Sequence, residues 1–355
     1  MINIEYALAA KKLLEPGIWN YLVGGSEDEL ALRRNRNAFQ DWAFIPRVLI
    51  DVSQLNLTKT FFNIPLKIPV IGSPIGGLTK MHEKGDSEWA QGIAQAEIIG
   101  AVSGVARIKP QEIIKESNAN LLFQLYVYGN YDWVKEQVQM AEKCGYQAII
   151  LTVDTPYYGL RERDILGKFD PRKVGWSSAQ PPPDRSCNVR LNWGSVKRIQ
   201  TLTSLPIIIK GIVHPEDVQI AMEHGVAAIW LSNHGGRQLD YSLPTLEVLT
   251  RIAPTCRKYS LPIVFDGGIR RGSDVLLALL LGADVVAVGR LPIFGLAVDG
   301  ANGMKTVFEN LENELRTAMG LVGLTSLSFN YNDLQDRLVR RDDSPLSTRW
   351  DEIEQ

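Results

Sequence analysis

The segment SNHGGRQ at residues 232–238 combines residue types that suit proton transfer and anion binding. Histidine is the one side chain whose ordinary pKa lies near neutrality, so His234 can act as a base at physiological pH. Arg237 is permanently charged and planar, and it can hold a carboxylate through two hydrogen bonds. A loop histidine that only packs is the alternative, but packing explains poorly a histidine followed by two glycines and an arginine. The segment therefore predicts a site where a base and a fixed cation act together.

A second segment, TVDTPYYGLRERD at residues 152–164, places Asp154 after an apolar run and Arg161 shortly beyond it. The Asp154 carboxylate can hold a histidine in one tautomer and stabilise its protonated form. Alternatively, and equally well, Asp154 only caps a turn. Tyr126 ends the run LLFQLY. Its hydroxyl either faces the site or belongs to a tyrosine that packs in the core. A single arginine here is usually in a surface salt bridge, but Arg161 together with Arg237 indicates a small anionic substrate.

Glycines and basic residues follow the last two apolar runs of the chain. One run leads into DGGIRR at residues 266–271 and the other into Gly289 and Arg290. Glycine lets backbone N–H groups approach a ligand, and the loops after the last two strands of an α/β barrel commonly bind phosphate. These loops therefore predict a phosphorylated cofactor. Lys210 ends another run and is either a cation at the same site or a salt-bridged lysine.

These candidates lie at the ends of short apolar runs that alternate with amphipathic segments from residue 68 onward. The runs are apolar at consecutive positions, which is typical of strands that are buried on both faces. The predicted strands are 68–74, 101–104, 121–126, 148–154, 206–211, 228–233, 262–267 and 285–289. The predicted helices are 86–98, 111–117, 132–144, 195–202, 215–224, 244–252, 272–281 and 306–319.

Eight strand–helix units favour the α/β class and a single (β/α)8 TIM barrel, although counting units does not exclude an open sheet. We expect one domain over residues 1–338, with an N-terminal helical extension at 1–67 and the barrel at 68–320. The extension predicts helices near 4–14, 17–22 and 28–39. The long loop after strand 4, at 167–193, is typical of a lid or binding loop, and 339–355 form a polar, peripheral tail.

The composition narrows the possible functions. The 355 residues include 38 Lys and Arg against 40 Asp and Glu, a net charge of -2 that disfavours nucleic acid as a partner. The longest uninterrupted apolar or glycine run, residues 275–283, is too short to span a membrane. The 3 cysteines show no metal-binding or disulfide spacing, so no metal is expected. The absence of a signal-peptide core and of a C-terminal peroxisomal tripeptide predicts a cytoplasmic protein.

Several separated motifs carry a resemblance to a known family. SNHGGRQLD at 232–240 resembles the signature of the FMN-dependent α-hydroxy acid oxidases and dehydrogenases, which include glycolate oxidase, lactate oxidase and mandelate dehydrogenase. The other matching motifs are YLVGGSEDE (21–29), NRNAF (35–39), FIPRVL (44–49), FQLY (123–126), LTVDTP (151–156), IIKGI (208–212) and DGGIRRGSDV (266–275). So many motifs in one order are specific, and this resemblance, rather than composition or fold, indicates FMN.

The resemblance implies a role for each matching residue. His234 is implied as the base that acts on the substrate 2-hydroxyl or Cα hydrogen, with Asp154 as its partner. The implied substrate-binding residues are Tyr21, Tyr126, Arg161 and Arg237. The implied FMN-binding residues are Lys210, beside the N1/O2 edge of the flavin, and Pro74, Ile75, Gly76, Ser103, Gln124, Thr152, Ser232, Asp266, Gly267, Gly268, Arg270, Gly289 and Arg290.

The implied activity is oxidation of an L-2-hydroxy acid to the 2-oxo acid at FMN. Oxygen, giving hydrogen peroxide, or another acceptor would reoxidise the flavin, and a homotetramer is implied by analogy. Val105 stands where glycolate oxidase-like members carry Trp, and Gly104 beside it is also small, so we expect a substrate larger than glycolate. A type 2 isopentenyl diphosphate isomerase-like enzyme and a non-catalytic flavin-binding protein are alternatives that the intact set of His234, Arg161 and Arg237 disfavours.

Overall fold

Short helices and strands form the first part of the chain in the computed structural model, which describes residues 1–170, 187–328, 337–341 and 349–354. The helices are α1 (Asn3–Leu13), α2 (Pro16–Val23) and α3 (Leu30–Asn37), and the strands are β1 (Trp42–Phe44), β2 (Lys59–Phe61) and β3 (Ile64–Leu66). The helices lie where helices were predicted. The strands were not predicted, because 3 residues are too few to show an alternating pattern.

Parallel strands then close into a barrel. They are β4 (Val70–Gly72), β5 (Ile99–Ser103), β6 (Asn120–Leu125), β7 (Ile149–Thr152), β8 (Ile207–Ile212), β9 (Ala228–Leu231), β10 (Ile263–Asp266) and β11 (Val285–Val288). Each strand pairs with the next, and β11 pairs with β4, with Val286 opposite Val70. The predicted strands and the (β/α)8 TIM barrel are confirmed, and closure excludes the open sheet.

Strand residues are buried on both faces of this sheet. Ile150, Ile208 and Trp230 belong to one cluster in the barrel interior, whereas the intervening residues of β7 and β8 belong to the cluster that includes the surrounding helices. Phe61 and Leu66 of the β2–β3 hairpin join the interior cluster. Because the hairpin leads directly into β4, it fills the amino-terminal end of the barrel. The opposite end, where the strands stop, is left for the loops that carry the site residues.

The helices that cover the barrel mostly match the predicted ones. They are α4 (Leu78–Met81), α5 (Gly85–Gln95), α6 (Pro110–Ser117), α7 (Tyr131–Cys144), α8 (Glu162–Leu166), α9 (Trp193–Gln200), α10 (Pro215–Glu223), α11 (Thr245–Lys258), α12 (Gly272–Leu281) and α13 (Arg290–Val322). The short helices α4 and α8 were not predicted. Helix α11 continues past Pro254, where the predicted helix had already ended.

Helix α13 begins 16 residues before its predicted start at residue 306. It bends at Asp299 and Gly300, whose backbone angles are not helical. A Cβ built on Gly303 would lie 2.1 Å from the carbonyl oxygen of Gly295, so glycine at these positions lets the two parts of the helix pack backbone to backbone. The predicted helix began only at residue 306, after these glycines, and was therefore too short.

The end of the chain returns to the body of the protein. Strand β12 (Leu338–Arg340) pairs with β1, and the last helix is α14 (Arg349–Glu354). The tail was expected to be peripheral, but α14 buries Trp350 and Ile353, which are 3% and 5% exposed. Of the predicted loop, residues 171–186 lie outside the described part of the chain. No described helix is both long enough and apolar enough to cross a membrane.

Candidate active site

A cavity of about 360 Å³ lies at the carboxyl ends of the barrel strands. It collects most of the residues that the sequence singled out. Those lining it are Tyr21, Pro74, Ile75, Gly76, Tyr126, Thr152, Arg161, Lys210, His234, Arg237, Asp266, Gly267, Gly268, Arg270, Gly289 and Arg290. The other predicted residues, Ser103, Gln124, Asp154 and Ser232, stand behind this wall and are linked to it by hydrogen bonds.

His234 lies in the turn that follows β9. Its φ of 59° is in the left-handed region, which is unusual for a residue with a Cβ and is often found at functional sites. The turn is held in place because the His234 backbone N–H donates to Ser232 Oγ over 3.0 Å. A Cβ built on Gly236 would lie 2.4 Å from the backbone nitrogen of Leu32, so α3 packs directly on this turn.

The imidazole of His234 is paired with the carboxylate of Asp154, which follows β7. His234 Nδ1 lies 3.0 Å from both carboxylate oxygens. Asp154 accepts a hydrogen bond from the Nδ1–H group, so the Nε2 lone pair of a neutral imidazole is left to accept a proton. The arrangement is that of a base and its orienting partner.

Burial also sets the charges of this pair. It lowers the pKa of His234, as do the nearby cations Lys210 and Arg161, while Asp154 acts in the opposite direction without reversing the shift. Burial raises the pKa of Asp154, but His234 and Lys210 outweigh it, and the net pKa is lowered. At neutral pH the imidazole is therefore neutral and the aspartate ionised, as a proton acceptor requires.

Two guanidinium groups share the wall of the cavity. Arg237 Nη1 donates to the carbonyl oxygens of Tyr21 and Gly24, each over 2.7 Å. Arg161 donates to the Arg237 carbonyl oxygen and to the Tyr158 hydroxyl. Within the described ranges, neither arginine forms an ion pair with a carboxylate. Burial, followed by the charge of Arg237, lowers the pKa of Arg161 to about 10, so Arg161 remains charged at neutral pH. Two guanidinium groups side by side on the wall favour an anion.

Tyrosine rings enclose the space in front of these arginines. The Tyr21 hydroxyl donates to the carbonyl oxygen of Gly76 over 3.3 Å, and its ring lies 4.8 Å from the Arg237 guanidinium carbon. Burial raises the pKa of Tyr126 well above its ordinary value, so its hydroxyl keeps its proton and can donate. Tyr158 stacks on Arg161 with 4.0 Å between ring centroid and guanidinium carbon.

Lys210, on β8, joins the histidine loop to the far side of the cavity. Its Nζ donates to Ser232 Oγ over 2.9 Å and lies 3.7 Å from Asp266 Oδ2. The same carboxylate oxygen accepts a hydrogen bond from the indole of Trp230 over 2.7 Å. Lys210 is thus both a cation on the cavity wall and a partner in a salt bridge, so the two interpretations from the sequence are compatible.

A row of polar side chains runs across three neighbouring strands. Ser103 Oγ donates to Gln124 Oε1 over 2.8 Å, and Gln124 Nε2 donates to Thr152 Oγ1 over 3.0 Å. Gly104 lies outside the cavity wall, and a Cβ there would be 2.6 Å from the Gln124 carbonyl oxygen. Close packing therefore explains Gly104, while Val105 does line the cavity.

At the other end of the cavity, the loop after β10 is held by ionic contacts. Asp274 accepts hydrogen bonds from the backbone N–H groups of Arg270 and Arg271 over 2.9 and 3.0 Å. Arg36, on α3, donates from Nη1 to Asp274 over 2.7 Å and to the carbonyl oxygen of Gly268 over 3.0 Å. The loop is therefore fixed in place by the N-terminal extension. The described residues contain no cluster of His, Cys, Asp and Glu side chains suited to a metal ion.

A model of the FMN-dependent dehydrogenase family matches residues 10–337. The chain belongs to this family. The matched range contains every strand of the barrel and every described residue of the cavity wall. The expected family, FMN as the cofactor and the FMN-dependent oxidoreductase class are thereby confirmed.

Characterised relatives of the family resemble the chain over nearly its whole length. A peroxisomal (S)-2-hydroxy-acid oxidase from rice (Oryza sativa subsp. japonica) is 38% identical over 342 residues, covering 92% of this chain and 93% of its own. Glycolate oxidase from spinach (Spinacia oleracea) is 37% identical, and the match covers 91% of this chain and 92% of the spinach protein. A solved structure of mandelate oxidase with (S)-2-phenylpropionate has a TM-score of 0.88 and 31% identity, covering 96% of this chain and 98% of its own.

The cavity fits FMN, the cofactor of this family. Ser73 Oγ and Asp266 Oδ1 are buried without a hydrogen-bond partner among the described residues, and both side chains line the cavity. Buried polar atoms of this kind need a partner, which a polar ligand such as FMN can supply. Gly289 leaves room on the same wall, where a Cβ would have no neighbour closer than 3.8 Å. Arg270 and Arg290 add the cations that suit a phosphate.

Ser73, Arg36 and Tyr158 are among the cavity residues that the sequence analysis missed. Ser73 is at the end of the first predicted strand, so the strand-end criterion that selected Asp266 could have selected it. Arg36 lies in the NRNAF motif, but its contact with Gly268 joins residues 232 positions apart, which no local pattern reveals. Tyr158 is in the segment that supplied Arg161, and a bulky residue beside a substrate arginine was a usable signal.

Proposed function

We propose that the protein oxidises an L-2-hydroxy acid to the corresponding 2-oxo acid. One observation carries this proposal: a histidine base with its aspartate partner lies in the same cavity as two arginines whose charges no carboxylate neutralises among the described residues. A substrate that needs both is an anion that loses a proton. FMN, when bound, accepts the two electrons that leave such a substrate.

Each residue near the reacting carbon has a distinct task in this proposal. Arg161 and Arg237 bind the substrate carboxylate, and Tyr21 and Tyr126 direct hydrogen bonds at its polar groups. This anchoring presents the 2-hydroxyl and the Cα hydrogen to His234, whose Nε2 takes the proton because Nδ1 is occupied by Asp154. Asp154 then stabilises the imidazolium that forms.

The remaining predicted residues are assigned to FMN. The Ser103–Gln124–Thr152 row and Pro74–Gly76 hold the flavin ring, and Lys210 offsets negative charge on the reduced ring as a preplaced cation. Ser232 keeps the Lys210 ammonium in place. Asp266 binds the ribityl chain. The phosphate is assigned to Gly267, Gly268, Arg270, Gly289 and Arg290.

We further propose a substrate whose side chain is larger than that of glycolate. Val105 lines the cavity where a tryptophan is expected in glycolate oxidase-like proteins, and aromatic rings from Tyr128 and Phe169 face the same space. Apolar and aromatic side chains on this part of the wall stabilise an apolar substituent by removing it from water. Relatives named for glycolate and for mandelate both resemble the chain, so the comparisons leave this question to experiment.

The proposal is tested by adding L-2-hydroxy acids to the purified protein without oxygen and following the visible flavin band. The panel should include glycolate, lactate, a branched acid and mandelate. Bleaching by one of them supports the activity, and faster bleaching by a larger acid than by glycolate supports the substrate size. Clear preference for glycolate would contradict the size proposal. A yellow protein that no acid bleaches would favour a non-catalytic flavin-binding role.

The electron acceptor, assembly and location are further proposals. We propose that oxygen reoxidises the flavin and yields hydrogen peroxide, which a peroxidase-coupled assay would detect after air is admitted. Slow reoxidation in air with fast reoxidation by an artificial acceptor would instead indicate a dehydrogenase. The homotetramer is checked by light scattering. The cytoplasmic location is checked by fractionation, and it differs from that of the relative named as peroxisomal.

A further inference from the structure

The last helix covers the outside of the loop after β10, residues 267–271, to which the FMN phosphate is assigned. We call this segment the phosphate loop. Helix α14 lies beyond residue 337, where the family match ends, and its Trp350 is only 3% exposed. The Trp350 ring stacks on Phe294 of α13 with 6.4 Å between centroids. Lys11 of α1 donates to the carbonyl oxygen of Ile353 over 2.8 Å. The helix is therefore anchored at both of its described ends.

Trp350 also lies against two arginines of the phosphate loop. Its ring centroid is 5.1 Å from the guanidinium carbon of Arg270 and 5.8 Å from that of Arg271. Arg271 has a carboxylate partner in Glu314 at 2.8 Å. Arg270 is the one of the two that lines the cavity, and it is 5% exposed. Trp350 itself does not line the cavity.

An aromatic ring holds a guanidinium group differently from a carboxylate. The face of the ring attracts the cation, and the stacked geometry restricts a side chain that otherwise has considerable rotamer entropy. The ring carries no negative charge, so it does not neutralise the cation. Stacking on Trp350 therefore orients the Arg270 guanidinium without itself offsetting its charge.

We propose that Trp350 is a positioning residue for the FMN phosphate, which it serves by holding the Arg270 guanidinium at the cavity. The proposal rests on the assignment of Arg270 to the phosphate. It makes the C-terminal helix part of the cofactor site, although the helix lies outside the residues that the family model matches. Trp350 acts on the phosphate end only, so its effect depends on the phosphate being present in the ligand.

The test compares FMN with riboflavin, which lacks the phosphate. Full-length protein freed of flavin is titrated with each ligand, and the quenching of flavin fluorescence gives the dissociation constants. For Trp350→Ala we expect the FMN dissociation constant to rise about 3- to 30-fold, the range of a buried cation–π contact, and the riboflavin constant to stay unchanged. Trp350→Phe retains an aromatic face and should show a smaller rise. Trp193→Ala, a change of the same size on α9, should alter neither constant.

Two results would overturn the proposal. Equal weakening of FMN and riboflavin by Trp350→Ala or Trp350→Phe would show that the residue supports the fold and not the phosphate. Unchanged FMN binding in both variants would show that Arg270 needs no help from the ring. If the alanine variant does not fold, the phenylalanine variant alone decides between these results. Because binding is measured without substrate, failure of the hydroxy-acid proposal leaves this test intact, and the reverse also holds.

Discussion

The cavity has a reactive end, with His234, Arg161 and Arg237, and a phosphate end, with the loop after β10 and Arg290. The two ends hold their charged groups in different ways. At the reactive end, burial lowers the pKa of both His234 and Arg161, and the arginines there have no carboxylate partner among the described residues. At the phosphate end, Arg36 pairs with Asp274 at 2.7 Å and Arg271 pairs with Glu314 at 2.8 Å. Burial that shifts pKa values characterises the first end, and ion pairs that fix the loop after β10 characterise the second.

This difference separates chemistry from retention of the cofactor. Burial shifts the pKa of a group toward the value that proton transfer needs, and a buried cation without a carboxylate partner keeps its charge for a substrate anion. Groups that hold a loop gain from pairing, because it fixes backbone geometry. Changes at the reactive end should therefore alter the rate of flavin reduction with FMN retained, and changes at the phosphate end should do the opposite.

The largest effect is expected for His234→Ala. Flavin reduction by substrate should fall about 10²- to 10⁴-fold, the contribution typical of a positioned base, with FMN content unchanged. Rapid mixing under anaerobic conditions measures the rate. Because His234 has a positive φ, His234→Asn is the matched control, since asparagine tolerates that backbone conformation better than alanine. Near-normal flavin reduction in either variant would show that His234 is not the base. The proposed difference between the two ends of the cavity would then lose its main support.

A loss of about 10²-fold is expected for Asp154→Asn, because the imidazolium would lose its ionic partner. The pH profile sharpens this prediction. Since the pKa of His234 is lowered, wild-type flavin reduction should fall only below about pH 6.5, the ordinary value for histidine. Asp154 raises the pKa of His234, so in the variant the decline should move to still lower pH. A decline at the same pH in both proteins would show that another group titrates.

Arg237→Lys should lower kcat/KM about 10-fold, chiefly through KM, with little change in FMN content. The lysine keeps the charge but cannot donate to the carbonyl oxygens of Tyr21 and Gly24 and to a substrate carboxylate in the same geometry. Arg163→Lys is the control, because Arg163 pairs with Glu29 and does not line the cavity. Steady-state kinetics on the preferred acid gives both constants. An unchanged Arg237→Lys variant would place the carboxylate elsewhere.

The sequence predicted the reactive end better than the phosphate end for a physical reason. His234, Asp154 and Lys210 lie on or just after strands, and a closed barrel necessarily brings strand ends together. The eight apolar runs were therefore sufficient to place them. Arg36 and Trp350 reach the phosphate loop from the two ends of the chain, where only packing of helices on the finished barrel determines position.

The smallest effect is expected for Arg36→Gln at the phosphate end. The variant loses the ion pair with Asp274, while Asp274 still accepts the two backbone hydrogen bonds of the loop, so we expect the FMN dissociation constant to rise only several-fold. The rate at which bound flavin is reduced should stay the same. Arg251→Gln, which breaks an exposed pair with Glu247, is the control and should affect neither. A slower reduction of bound flavin in Arg36→Gln would show that loop geometry reaches the reacting carbon, and the two ends would then not be independent.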